Sequence, residues 1–157
     1  MRMSHFVVRD AILPALAAAT KDDVVREMVR GLHAAGQFPN TDLEDIVKAV
    51  LRREQLGSTG IGRGIAIPHS RHAAVGQLVG SVGLSKRPEK VPFDSIDGEP
   101  VDIFVLLISP QDRPGDHLRA LENVVQTMRD DGFLKALRAC ETRDQVWDLI
   151  NGARPGW

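Results

Sequence analysis

Three residues of this chain have types and surroundings suited to chemistry on an anion: His69, His117 and Arg53. His69 directly follows Ile65-Ala66-Ile67-Pro68, a short extended run that Pro68 is expected to stop. It therefore sits where a buried strand reaches the surface, and open α/β folds place ligand chemistry at strand ends. Pro68 fixes the backbone just before the imidazole and restricts its wandering. His117 lies one, two and three helical turns before Leu121, Val124 and Met128, so it faces the apolar side of its helix. In the first turn, the helix dipole disfavours a positive charge and holds such a ring neutral. Advancing about 100° per residue from Leu43 puts Arg52 opposite the apolar stripe and Arg53 on its border. The planar fork of Arg53 can then turn inward to an anion. Glu54 falls within the stripe and needs Arg53 or a backbone group as partner. Taken singly, these residues also admit bland roles: a surface histidine in a turn, a core histidine with one hydrogen bond, and a salt bridge closing a helix.

Around them, the loop Gly57-Ser58-Thr59-Gly60-Ile61-Gly62-Arg63-Gly64 offers hydroxyls and backbone amides to a phosphoryl group. Ser58 and Thr59 are the candidate phosphate contacts. The loop lacks the lysine and spacing of a Walker motif, and glycines alone are weak evidence. His69 and His72 have no nearby carboxylate or cysteine partners in sequence, so no metal site is expected. Asp116 is expected to cap the helix of His117 rather than orient its ring. Cys140 reads as a small packing residue with no base to activate it.

The elements that must position these groups follow from periodicity and capping. The opening segment through Ala19 is expected to hold a strand. Thr20 caps a helix carrying Val24, Val25, Met28, Val29 and Leu32, which ends at Gly36. Thr41-x-x-Glu44 is a capping box opening the helix of Leu43, Ile46, Val47, Val50 and Leu51. Leu78 to Leu84 is a strand in which Gly80 and Gly83 permit close backbone approach. Val91 to Phe93 is expected as a short edge strand. Val101 to Ile108 is nearly continuously apolar, as a strand buried on both faces requires. Helices follow from His117, from Phe133 and from Thr142-x-x-Gln145, with Trp147 packing and Trp157 in a tail. Helices interleaved with strands imply an α/β sandwich.

Composition narrows the function. The chain has 157 residues, 43% apolar and 26% charged, with twenty basic and twenty-one acidic residues. One domain over 1–157 is expected. The near-neutral balance, with Arg52-Arg53 and Lys86-Arg87 short and isolated, argues against nucleic-acid binding. No stretch approaches the roughly 20 apolar residues of a membrane span. The longest nearly apolar run, Ala11 to Ala19, contains Pro14 and lacks the features of an export signal. A single cysteine excludes an intrachain disulfide framework and fits a reducing cytoplasm.

Together these pieces resemble the fructose/mannitol-type (type 2) IIA domain of the bacterial phosphotransferase system. The resemblance rests on Lys21 through Met28, Arg53-Glu54, Ser58-Thr59-Gly60-Ile61-Gly62, and Gly64-Ile65-Ala66-Ile67-Pro68-His69. It continues through Pro92-Phe93-Asp94-x-x-Asp97-Gly98, Val101-Asp102, Ser109-Pro110 and His117-Leu118. It implies a sandwich with a central mixed β-sheet flanked by helices. It also implies that His69 accepts a phosphoryl group from an HPr-type phosphohistidine carrier, that His117 hydrogen-bonds the phosphate or steadies the ring, and that Arg53 neutralises the anion. Imidazole is a good nucleophile and a good leaving group near neutral pH, so such a bond stores transferable phosphate without metal or cofactor. Ser70 stands where many members have glycine and is a further candidate phosphate contact. The lone domain resembles the stand-alone nitrogen-regulatory branch, whose phosphorylation state reports to partner proteins. The alternatives are a sugar-uptake IIA that passes phosphate to a IIB domain, and a module that signals by docking alone. Ile61 and Val75 are candidate members of an apolar docking patch beside His69.

Overall fold

The computed structural model describes residues 1–152. Its central element is β5 (Ile103–Ser109), seven residues that are all buried. Alternate side chains of β5 enter two separate cores. Ile103, Val105 and Leu107 pack on one face, and Phe104, Leu106 and Ile108 on the other. This alternation is the geometry of a strand covered on both faces. The first core is closed by α3 (Pro114–Thr127), α4 (Asp131–Ala139) and α5 (Arg143–Ile150), the second by α1 (Lys21–Ala34) and α2 (Leu43–Leu56). The result is the three-layer sandwich with a central mixed sheet expected from the sequence.

Both edges of β5 are used. Along one runs β4 (Val79–Leu84), antiparallel, from Val79 opposite Ile108 to Leu84 opposite Ile103. Along the other lie β2 (Ile65–Ala66) and β3 (His69–Arg71), end to end and both parallel to β5. Pro68 thus interrupts a strand rather than ending it. Proline has no N–H to give, but its carbonyl still accepts from Leu107 N at 3.0 Å. The glycine-rich stretch is also more ordered than a loop: β1 (Gly60–Gly62) turns back antiparallel on β2. Arg63 and Gly64 take the turn with positive φ, at 59° and 79°.

Three sequence expectations are corrected. The segment before α1 forms two 3₁₀ turns, Met3–His5 and Arg9–Ala11, and pairs with β4 through isolated bridges at Val7 and Leu13 rather than as a strand, with a further bond from Leu16 N to Leu84 O at 2.8 Å. Pro14 and the small residues after it leave no run long enough for a ladder. Val91 likewise makes one bridge, to Val101, instead of an edge strand. The Thr41/Glu44 capping box does not form: a 3₁₀ turn at Asn40–Asp42 shifts the helix start to Leu43, and Glu44 pairs with Arg26. Thr20 does cap α1, accepting from Asp23 N, and Thr142 with Gln145 forms the second capping box. Trp147 packs against the first core, and Trp157 lies outside the described residues.

The close approach at Gly80 and Gly83 is real. A Cβ at Gly80 would come within 2.9 Å of the Leu106 carbonyl, and one at Gly83 within 3.0 Å of Leu16 and 3.1 Å of Met28. The β-hairpin is pinned by Glu54 of α2, which is buried. Its carboxylate accepts from Thr59 N at 3.2 Å and from the Thr59 hydroxyl, and Lys21 Nζ stands 3.6 Å away. Glu54 is therefore held by Thr59 and Lys21, not by Arg53. Removing one partner of such a buried cluster strands the others. Glu54→Ala is expected to lower the unfolding free energy by about 3 kcal/mol, and Gly80→Ala by about 1–3 kcal/mol. Urea unfolding followed by circular dichroism measures both.

Candidate functional site

An open cavity of about 700 Å³ lies where β3, the end of β5 and the start of α3 meet. Arg53, His69, Ser70 and His117 line it, as do Arg71 and Gln111, which the sequence reading did not single out. Each histidine owes its position to β5. His69 stands opposite Leu107 in the parallel register, and Arg71 opposite Ser109. Residues two apart on a strand share a face, so His69 and Arg71 project from the same side of β3. Ser109, the last residue of β5, bonds His117 Nδ1 through its hydroxyl. The two imidazole centroids are 5.2 Å apart, with planes inclined by 60°.

The tautomer of His69 follows from its backbone partner. Ile67 turns its amide to Thr59 O at 3.0 Å, and its carbonyl stands 2.7 Å from His69 Nδ1. A carbonyl only accepts, so Nδ1 carries the proton and Nε2 keeps the free lone pair. Burial pulls the His69 pKa below that of an ordinary imidazole and the Arg53 charge adds to this, with the Ile67 bond and Glu54 opposing. His117 is lowered further, to about 4, by burial first and then by His69, Arg71 and Arg53. Both rings are neutral at pH 7.

Arg53, in the last turn of α2, donates from Nη1 to the Gly57 carbonyl at 2.8 Å, which closes the helix end and fixes the guanidinium beside the cavity. Its remaining N–H groups form a preset donor fork. Among the described residues, no carboxylate lines this cavity. Asp116 neither caps α3 nor orients His117; it pairs with Arg119 and stands 3.9 Å from Arg113. Two guanidinium groups beside two neutral imidazoles can neutralise a phosphoryl dianion and leave a nitrogen nucleophile free.

Ser58 and Thr59 are not brought to this cavity. The Ser58 hydroxyl donates to Phe93 O at 2.6 Å and accepts from Gly60 N at 3.0 Å, while Thr59 serves Glu54. Their hydroxyls hold the hairpin, which is why the loop looked polar in sequence. Ser70 reaches the cavity wall, with its hydroxyl donating to Arg71 O at 3.1 Å. His72 is engaged by Asp45 and accepts from Ala74 N at 2.9 Å. Of the two apolar docking candidates, Val75 is buried in the second core and Ile61 packs against the first. Leu118, next to His117, is instead an exposed apolar side chain, at 57%. Arg71 was findable by stepping two residues along a strand from His69, had the strand been expected to resume after Pro68. Cys140 caps α4, its thiol bonded to Ala136 O and its pKa pushed up by burial.

A family model described as "Phosphoenolpyruvate-dependent sugar phosphotransferase system, EIIA 2" matches residues 5–153. The nitrogen regulatory protein of Bradyrhizobium diazoefficiens is 31% identical over 150 residues, covering 96% of this chain and 95% of that protein. The fructose-specific EIIABC component of Bacillus subtilis is also 31% identical, over 96% of this chain but only 23% of its own length. Among solved structures, the nitrogen regulatory protein IIA-Ntr of Neisseria meningitidis superposes with a TM-score of 0.82 at 27% identity, covering 94% of this chain and 98% of that one. The mannitol IIA of Escherichia coli, at 23% identity and a TM-score of 0.70, shares the fold. The extent of the family match, nearly end to end, shows that this chain belongs to the EIIA type 2 family of the phosphoenolpyruvate-dependent phosphotransferase system.

Proposed function

We propose that the chain is a phosphohistidine relay: His69 Nε2 takes a phosphoryl group from an HPr-type carrier, and the charged state is read by partner proteins. The observation that carries this is the Nδ1–H bond to Ile67, which leaves Nε2 as the nucleophile at the edge of a cationic cavity. In the transfer, the lone pair of Nε2 forms the new N–P bond as the N–P bond of the donor breaks. The electron pair returns to the donor imidazole, and His69 Nδ1 keeps its proton. In-line transfer of this kind asks for positioning and charge neutralisation, and little else. Arg53 and Arg71 supply the neutralisation. When the Ser109 hydroxyl donates into His117 Nδ1, the opposite ring nitrogen carries the proton and can donate to a phosphoryl oxygen. Ser70, on the cavity wall, is a further contact.

The regulatory branch is favoured by the match to a nitrogen regulatory protein over nearly all of its length. The mannitol IIA of Escherichia coli has been seen in complex with phosphorylated IIB, so a IIB domain is the downstream partner if the chain serves sugar uptake. Exposed Leu118 beside His117 fits a shallow apolar contact for either partner. The cytoplasm is the compartment this reading implies. Among the described residues, no helix is long and apolar enough to cross a membrane.

Incubation with phosphoenolpyruvate, enzyme I and an HPr-type carrier is expected to add one acid-labile phosphoryl group, seen by phosphorus NMR and intact mass. His69→Ala is expected to remain unmodified. Labelling of the variant equal to the parent, or none from any carrier, would overturn the relay. Arg71→Ala is expected to slow the transfer about tenfold with unfolding unchanged, as rapid-quench labelling would register.

Acid sensitivity follows from the depressed histidines. Between their ordinary pKa near 6.5 and the value of about 4 for His117, the unfolded chain binds protons that the folded chain refuses. The stability these two rings contribute is therefore full above pH 6.5 and is lost as pH falls toward 4. His117→Gln is expected to flatten part of that loss, in urea titrations repeated across the pH range.

A further inference from the structure

At the opposite end of β5 from His117 lies a second, smaller cavity of about 200 Å³. Seven residues of strand, at about 3.3 Å each, separate the two sites by about 20 Å. The loop after β4 brings Lys86, Arg87 and Lys90 to it, and α4 brings Arg138. Against these four cations stands one lining carboxylate, Asp102. Its charge is already committed: Arg138 binds it from Nε at 2.9 Å and Nη2 at 3.0 Å, and Lys90 Nζ stands at 3.7 Å. Among the described residues, Lys86 and Arg87 meet carbonyls alone, of Arg138 at 2.6 Å and of Ala17 at 3.5 Å. Glu89, in the same loop, is exposed and does not line the cavity. The site therefore holds a surplus of positive charge.

A second observation points the same way. Ser85 lines this cavity and is only 8% exposed, yet its hydroxyl has no hydrogen-bond partner. A buried hydroxyl left unsatisfied is costly, and such groups commonly await a water, an ion or a ligand. Pro88 stiffens the loop between the cations on either side of it, which reduces the entropy lost when an anion orders them. The volume is below the range of about 300–1,000 Å³ typical of sites for larger ligands, so the occupant is small.

We propose that this cavity is a binding site for a small phosphate-bearing anion, either inorganic phosphate or the phosphate end of a compact phosphoester. A tetrahedral dianion has enough acceptor oxygens to serve Lys86, Arg87, Lys90 and the Ser85 hydroxyl together. The site is separate from His69, and it stands whether or not His69 is phosphorylated.

The test is a residue-resolved ¹⁵N–¹H NMR titration of the full chain with inorganic phosphate, and in a separate arm with glycerol 3-phosphate, at ionic strength held constant with potassium chloride. Saturable shifts are expected at the amides of Ser85, Lys86 and Lys90. In the exposed double variant Lys86→Gln/Lys90→Gln, binding there is expected to weaken at least about tenfold, while any shifts around His69 persist. Ser85→Ala is expected to weaken binding less, with an otherwise unchanged spectrum. Tighter binding of one probe assigns the ligand to the free ion or to the ester. Shifts that do not saturate, that chloride reproduces, that survive in the double variant, or that are confined to the Arg53–Arg71 cavity would overturn the proposal.

Discussion

The pairing of β5 with everything beside it is the constraint on which the site depends. One strand, buried on both faces, takes β4 along one edge and the interrupted β2–β3 strand along the other. Its register fixes His69 opposite Leu107, and its last residue, Ser109, holds the ring of His117. A slip of one residue would turn every side chain of β5 to the wrong core and separate the two imidazoles. The apolar interior thus does more than stabilise the sandwich. It sets the 5.2 Å between the rings.

Burial and electrostatics then act on that geometry, and their net effect lowers both histidines. Burial and neighbouring guanidinium groups all disfavour a second proton on either histidine. Near neutral pH this keeps a lone pair available, and it does so in a cavity whose charged lining is positive. The same cations that add to burial in keeping the resting rings neutral would meet the charge of a phosphoryl group under the relay proposed above. No trade-off arises between a nucleophile that must stay unprotonated and a site that must attract an anion.

Much of this was legible in the sequence, for identifiable reasons. The central strand announced itself through the nearly continuous apolar run Val101 to Ile108, and α1 through Thr20 and a regular apolar stripe. His69, His117 and Arg53 were found because each sits at a boundary where periodicity changes, and the structure brings all three to one cavity. What was missed depended on long-range pairing. The resumption of the strand after Pro68 is visible only when β5 is beside it, and Arg71 went unseen with it. Ser58 and Thr59 have the chemistry of phosphate contacts, but Phe93 and Glu54, distant in sequence or hidden in a helix stripe, claim their hydroxyls first. Local rules also failed where a competing partner existed, as when Glu44 chose Arg26 over a capping box.

The cavity draws its lining from all three layers of the sandwich. Arg53 belongs to a helix of one layer, His117 to a helix of the other, and His69 to the strand between them. A charge placed there is felt by side chains rooted in both halves of the molecule. A molecule that seats in this cavity therefore meets side chains of α2, β3 and α3 at once.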